Sequence, residues 1–164
     1  MPTITDYTDI ISVEDAKKYL RIDTDNTDSD SEIEVMIDSA CNLIENYTQT
    51  YLKPRDNVYY FNNANYIRLY SYPVNEIVLP TVDTGYSIEN KNLYTVYYRE
   101  NSYLESMTFN IGYTDTANVK AIFKMAILET VKLWFYGSET ETAMKGYIPN
   151  SVMAILSSER RFIF

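Results

Sequence analysis

No histidine occurs among the 164 residues, and only one cysteine. The missing imidazole removes Ser-His-Asp and Cys-His nucleophile systems, histidine-based zinc sites and the commonest general base at neutral pH. A lone Cys41 excludes an internal disulfide, and its place on the apolar side of a helical pattern reads as a small core residue. Glycine is scarce as well: there are four, and none forms a phosphate-cradling loop. Positive charge is short, with 14 Lys and Arg against 23 Asp and Glu, a net charge of −9. Such a surface does not grip a phosphate backbone, which needs Lys and Arg to displace counterions. Long apolar runs are missing too. The most apolar helical stretch is interrupted by Lys124, Glu129 and Lys132, so no membrane span is expected. The opening Met1-Pro2-Thr3-Ile4-Thr5-Asp6 has neither a basic nor an apolar leader region. The expectation is a soluble, intracellularly made protein that is not an enzyme and needs no cofactor.

What is present is tyrosine, seventeen of them, in a chain with 46% hydrophobic residues. An apolar ring with a polar tip suits strands, and equally suits surfaces half-buried at protein interfaces. At this length one domain is expected, burying roughly 70% of its unfolded surface.

Periodicity divides the chain into three. Ser12 and Asp15 have capping-box spacing ahead of Val13, Ala16 and Leu20, which predicts a short helix stopping around Arg21. Ser31 and Glu34 repeat that spacing, and Ile33, Met36, Ile37, Ala40, Ile44, Tyr47 and Tyr51 then recur at helical steps until Pro54. From Val58 to Ile111 the pattern becomes short, aromatic and β-branched. It predicts strands over Val58–Phe61, Tyr66–Tyr70, Glu76–Leu79, Tyr94–Tyr98 and Ser106–Ile111. Asn62-Asn63, Tyr72-Pro73, Asp83-Thr84-Gly85 and Glu100-Asn101 punctuate them as turns. Val119, Ile122, Phe123, Ala126, Ile127, Thr130, Val131 and Trp134 then form one broad stripe ahead of Gly137, and Pro149 opens a last short helix through Leu156. The fold class that follows is α+β, mainly α. It is a small helical bundle of two long helices plus short N- and C-terminal helices, with an inserted antiparallel β region. The expected core residues are Ile37, Ile44, Ile122, Phe123, Ile127 and Trp134.

Two segments invite a functional reading. In the acidic loop, oxygen-bearing side chains fall at Asp23, Asp25, Thr27, Ser29 and Ser31, with Glu34 at the twelfth place of an EF-hand count. The sixth place, which needs glycine, is Asp28, and the usually apolar eighth is Asp30. A solvated loop between helices, with Glu34 as a capping partner, is therefore preferred over a metal site built on Asp23, Asp25 and Glu34. The chain ends Arg160-Arg161-Phe162-Ile163-Phe164. Aromatics beside arginines are residue types enriched in interface hot spots, and leaving them in water gains nothing, so a docking peptide is preferred over a frayed end.

Several segments in order carry a resemblance. They are Ser12-Val13-Glu14-Asp15-Ala16-Lys17 leading to Leu20-Arg21-Ile22-Asp23, the acidic loop, and a helix ending Ile44-Glu45-Asn46-Tyr47-Thr48. Tyr72-Pro73-Val74-Asn75-Glu76-Ile77-Val78, the turn at Gly85 and Phe109-Asn110-Ile111-Gly112-Tyr113 follow. Then come Val119-Lys120-Ala121-Ile122, Trp134-Phe135-Tyr136 and Ile148 to Leu156. Together these resemble the head–tail connector (head-completion adaptor) proteins of tailed bacteriophages. Ala117-Asn118, where many relatives have a proline, and Phe135 to Glu139 at the helix end depart from that pattern.

The resemblance implies a single connector domain over 1–164, its helical part about 12–53 and 118–157, its β insertion about 57–112, and a docking tail over 158–164. It implies a virion structural protein, made in the bacterial host cytoplasm, sitting at the head–tail junction. There a homo-oligomeric ring of about a dozen copies, closed by heterologous contacts, would lie under the portal protein. It would join the portal to the next tail-side connector or tail protein and pass DNA non-specifically through its lumen, where acidic walls repel phosphate. Arg160, Arg161, Phe162, Ile163 and Phe164 would dock on the portal. Two other readings stay open: a tail-side stopper or completion protein, and a Tyr-lined module binding a carbohydrate or peptide on the β region.

Overall fold

The computed structural model describes residues 3–61, 66–69, 73–79, 86–90, 95–99, 106–137 and 147–160. The chain forms two compact units, one over Met1–Thr48 and Thr114–Arg160, the other over Gln49–Tyr113. The first is helical and the second β, an α+β fold of mainly helical character.

In the helical unit a 3-10 helix, Tyr7–Asp9, opens on a reciprocal cap. Asp6 accepts from the Tyr7 N–H at 2.7 Å, and Asp9 Oδ2 accepts from the backbone of Asp6 (2.9 Å) and Thr5 (2.7 Å). Those donors, the Asp6 N–H first, hold the Asp9 carboxyl below its ordinary value of 3.8. Helix α1, Val13–Leu20, is capped by Ser12, whose Oγ accepts from the Asp15 N–H at 3.0 Å. It ends where Arg21 turns left-handed at φ 59°.

Helix α2 spans Asp30–Thr48. It starts before Ser31, so Ser31 and Glu34 lie inside the helix on its exposed face, and the expected capping box is displaced. The expected run to Tyr51 is also shortened, because Gln49 turns left-handed at φ 57° and ends the helix at Thr48. Helix α3 spans Ala121–Tyr136, and Gly137 stops it in an extended conformation (φ −60°, ψ 144°) rather than a left-handed one. Helix α4, Asn150–Leu156, has Pro149 at its N-cap, where proline's missing N–H leaves no helical hydrogen bond unmade.

Helices α2 and α3 make the main helical contact, and α1 and α4 each pack on α3 as well. Ile37, Ile44 and Ile127 are fully buried, Phe123 is 1% exposed and Trp134 8%, while Ile122 is half-buried. The buried hydroxyls of Thr48 and Thr130 donate to the carbonyls of Ile44 and Ala126, each at 2.7 Å, so neither brings an unmet donor into the core. Tyr7, also buried, places its hydroxyl 3.0 Å from Oε2 of the buried Glu45 and 3.1 Å from Asn42 Oδ1.

Among its described residues the β unit has six strands in two antiparallel sheets. They are β1 Arg55–Tyr60, β2 Tyr66–Leu69, β3 Val74–Leu79, β4 Tyr86–Asn90, β5 Thr95–Arg99 and β6 Ser106–Ile111. The orders are β1-β6-β3 and β2-β5-β4. Strand β4 was not expected. Its Ser87, Glu89 and Asn90 are poor strand formers, and pairing along β5 supplies what propensity does not. The turn at Pro73 is described, whereas Asn62-Asn63, Tyr72, Asp83-Thr84-Gly85 and Glu100-Asn101 lie outside the described residues. Alternation along β1 and β6 sends Met107, Phe109 and Ile111 into a core with Phe61 and Leu69, against which Tyr51, Tyr59, Val74 and Ile77 pack. Tyr59 meets Phe109 edge-on, centroids 5.6 Å apart. Across the sheet Asn75 donates to Asn110 (2.8 Å), and Asn110 to Asp56 (2.7 Å).

Gly112 follows β6 at φ 114° and donates its N–H to the Pro73 carbonyl at 2.8 Å. A Cβ there would run into the backbone of Lys53 and Pro54, which gives the Ile111-Gly112-Tyr113 run a steric reason. Two substitutions test the two cores by urea unfolding. Trp134→Ala should cost about 3–5 kcal/mol as a large truncation, and a change under about 1 kcal/mol would mean that this face of α3 is not core. Gly112→Ala should cost more than about 1 kcal/mol, since both its conformation and the close backbone oppose a side chain.

Candidate functional site

The acidic loop between α1 and α2 closes on a lysine. Lys17 lies on the α1 face shared by Val13, Ala16 and Leu20, and it is only 3% exposed. Its Nζ donates to the carbonyls of Asn26 (2.7 Å) and Thr24 (3.3 Å) and pairs with the Asp30 carboxylate. The ammonium thus sits among the loop oxygens that a cation would seek. Asp23 and Asp25 are exposed; Asp23 instead accepts from the Asp25 N–H at 3.1 Å, and Asn26 from the Asp28 N–H at 2.9 Å. Glu34 is exposed on α2, more than a helical turn from the nearest of these groups in sequence. Among the described residues no group of three or more His, Cys, Asp or Glu is placed to hold a metal ion.

At the other end of the helical unit, the Arg160 guanidinium lies over the Tyr47 ring, 4.9 Å from its centroid, and Glu159 pairs with Lys120 at 2.7 Å. These contacts tie the end of α4 to α2 and to the start of α3. Arg161, Phe162, Ile163 and Phe164 lie outside the described residues.

Among the described residues of the helical unit, two concave surfaces stand out. The first, about 710 Å3, runs along α2 past Ser31, Glu32, Val35, Ser39 and Leu43, with Trp134 of α3 in its wall. The second, about 620 Å3, is formed by Lys18, Tyr19, Leu20 and Arg21 with Lys132 and Tyr136 of α3. There the Tyr19 hydroxyl donates to Glu129 at 2.8 Å, which raises the Tyr19 pKa above its ordinary value because the neighbouring carboxylate prefers the protonated phenol. The Lys132 ammonium lies 5.7 Å from the centroid of the Tyr19 ring, and Tyr136 donates to the Leu20 carbonyl at the end of α1. Neither this cluster nor the buried Lys17 was foreseen from the sequence. The available signal for Lys17 was a lysine at an apolar helical position ahead of a carboxylate-rich loop.

One prediction follows for the loop. Lys17→Met should lower stability by about 1–3 kcal/mol in urea unfolding, because it removes the buried ammonium that pairs with Asp30 and donates to the Thr24 and Asn26 carbonyls. Calcium added to the unaltered chain should leave its melting temperature unmoved, and a rise of several degrees would contradict the lysine-filled loop.

Comparison with known proteins bears on these surfaces. Residues 10–82 match the family described as phage gp6-like head–tail connector proteins. No curated protein matches the chain. Among solved structures, the chain is similar to one from the virion of a native gene transfer agent particle, with TM-score 0.71, 15% identity, and 99% of this chain and 96% of that chain covered. It is similar also to one from the neck of an empty gene transfer agent particle computed with C6 symmetry, with TM-score 0.67, 14% identity and the same coverage. At such identities the structural matches speak for the fold, and the fold is shared nearly end to end. The sequence match begins ahead of Ser12, spans α1, the lysine-closed loop and α2, and ends past β3, the stretch in which the collinear motifs begin. Over residues 10–82, a little under half of its length, the chain is similar to the phage gp6-like head–tail connector family.

Proposed function

We propose that the protein is a structural component of a phage-like particle, working at the neck where head meets tail. The observation that carries this is the connector-family sequence match over residues 10–82, on a chain whose fold recurs in a gene transfer agent virion. Such a role asks for no reacting group, and the chemistry of the chain suits it. The helical unit is held by apolar packing, and its polar clusters are mutually satisfied side chains and backbone carbonyls.

In this reading, copies form a ring beneath the portal, and DNA passes through its lumen. A net charge of −9 per chain favours passage without adhesion, because an acidic wall offers phosphate no counterion to exchange. The tail Arg160 to Phe164 docks on the portal. Its first residue, Arg160, is held against the Tyr47 ring. Among the described residues no helix is long and apolar enough to cross a membrane.

Mixing the purified chain with the cognate portal ring and imaging by electron microscopy tests the role. A symmetric added layer at one end of the portal is expected, and a bare portal beside free chain would contradict it. The chain lacking Arg160 to Phe164 should keep its melting transition and lose the layer, whereas unchanged binding would remove the tail from the docking role.

A further inference from the structure

We propose that copies meet head to tail through the two concave surfaces of the helical unit, the basic aromatic flank of one seated on the acidic α2 face of the next. This rests on the ring reading above and names the contact that would close it.

Charge is sorted between the two flanks. Helix α2 carries Asp30, Glu32, Glu34, Asp38 and Glu45, and no lysine or arginine along its nineteen residues. Glu32 and Glu34 are exposed on its solvent face, and between them Val35 stands 64% exposed. An apolar centre with a charged rim is the anatomy of a protein contact. The opposite flank brings Lys18, Arg21 and Lys132 together with Tyr19 and Tyr136, the latter 60% exposed. Arginine and tyrosine are the side chains that most often carry binding energy. Of the existing pairs there, Lys18 with Glu14 at 2.7 Å is solvent-facing, of the kind that exchanges partners at little cost, and Lys132, itself 44% exposed, meets the half-buried Glu129 at 3.3 Å.

The two flanks also face apart. Trp134 lines the α2 groove, whereas Lys132 and Tyr136 line the basic flank, each two positions from it along α3. Two positions turn about 200° around a helix. A patch and its complement on opposite sides of one body generate a heterologous contact, the kind that closes into rings when the rotation allows. Chains of net charge −9 repel one another at a distance, so side-by-side assembly needs such a local match of opposite charge.

The test uses two full-length double variants with the cognate portal ring as template, read by sedimentation velocity and electron microscopy. Arg21→Glu with Lys132→Glu makes both flanks acidic, and Glu32→Lys with Glu34→Lys makes both basic. Each variant alone should fail to form the ring, and an equal mixture should restore it, because acidic and basic copies can then alternate. Circular dichroism checks that each folds. If one does not, the milder Arg21→Gln with Lys132→Gln and Glu32→Gln with Glu34→Gln take its place, and each should weaken assembly at least tenfold. Assembly of the unaltered chain should fall with rising salt. If the unaltered chain forms rings and the single-flank variants do so equally, the flank contact is overturned while the ring reading stands. Failure of the folded mixture to reassemble overturns it too. If the unaltered chain forms no ring at all, the ring reading itself fails and takes this contact with it.

Discussion

Helix α3 sets the terms for the helical unit. Only Lys124, Glu129, Thr130 and Lys132 interrupt its apolar sequence, so it has almost no side that water can cover cheaply. The fold answers by placing α2 along it and setting α1 and α4 against it. The two short helices lie far apart in sequence, and each buries only a few side chains: Ala16, Lys17 and Leu20 in α1, Val152 and Leu156 in α4. Too short to be stable alone, they hold their shape because α3 gives their apolar faces somewhere to go. Met125, Leu133 and Tyr136 remain exposed on α3.

Much of this was legible because period and caps agreed. Ser12 caps α1, Ile33 to Ile44 bury one face of α2, and Phe123 to Trp134 bury the stripe of α3. Helix ends were read less well. The Ser31 spacing imitates a cap one residue inside the real helix, and Gln49 takes a left-handed turn that glutamine does not advertise. Strand β4 escaped for a related reason: its residues are ordinary, and its structure comes from the neighbouring strand. The resemblance lay in the order of several motifs, and at Gly112 the structure supplies a physical cause for one of them, a backbone approach too close for any side chain.

The surfaces were the least legible part. The acidic loop invites a cation in sequence, and its geometry turns the carbonyls of Thr24 and Asn26 onto Lys17. Lys17 and its partner Asp30 stand thirteen residues apart, a spacing that follows no helical or strand period. The same holds for the meeting of Tyr19, Glu129, Lys132 and Tyr136, which needs α1 and α3 brought side by side. Composition gives the net charge, whereas only the fold sorts it into an acidic α2 and a basic flank opposite. That sorting is chemistry available for assembly.

The central claim is a place, the neck of a particle. The most direct measurement is to locate the chain in purified particles by a gold-labelled antibody fragment raised against it and viewed by electron microscopy. Label at the single vertex where head joins tail, in every intact particle, is the result expected. Label spread over the head shell or along the tail, or its absence from particles that still infect or transfer DNA, would contradict a connector role.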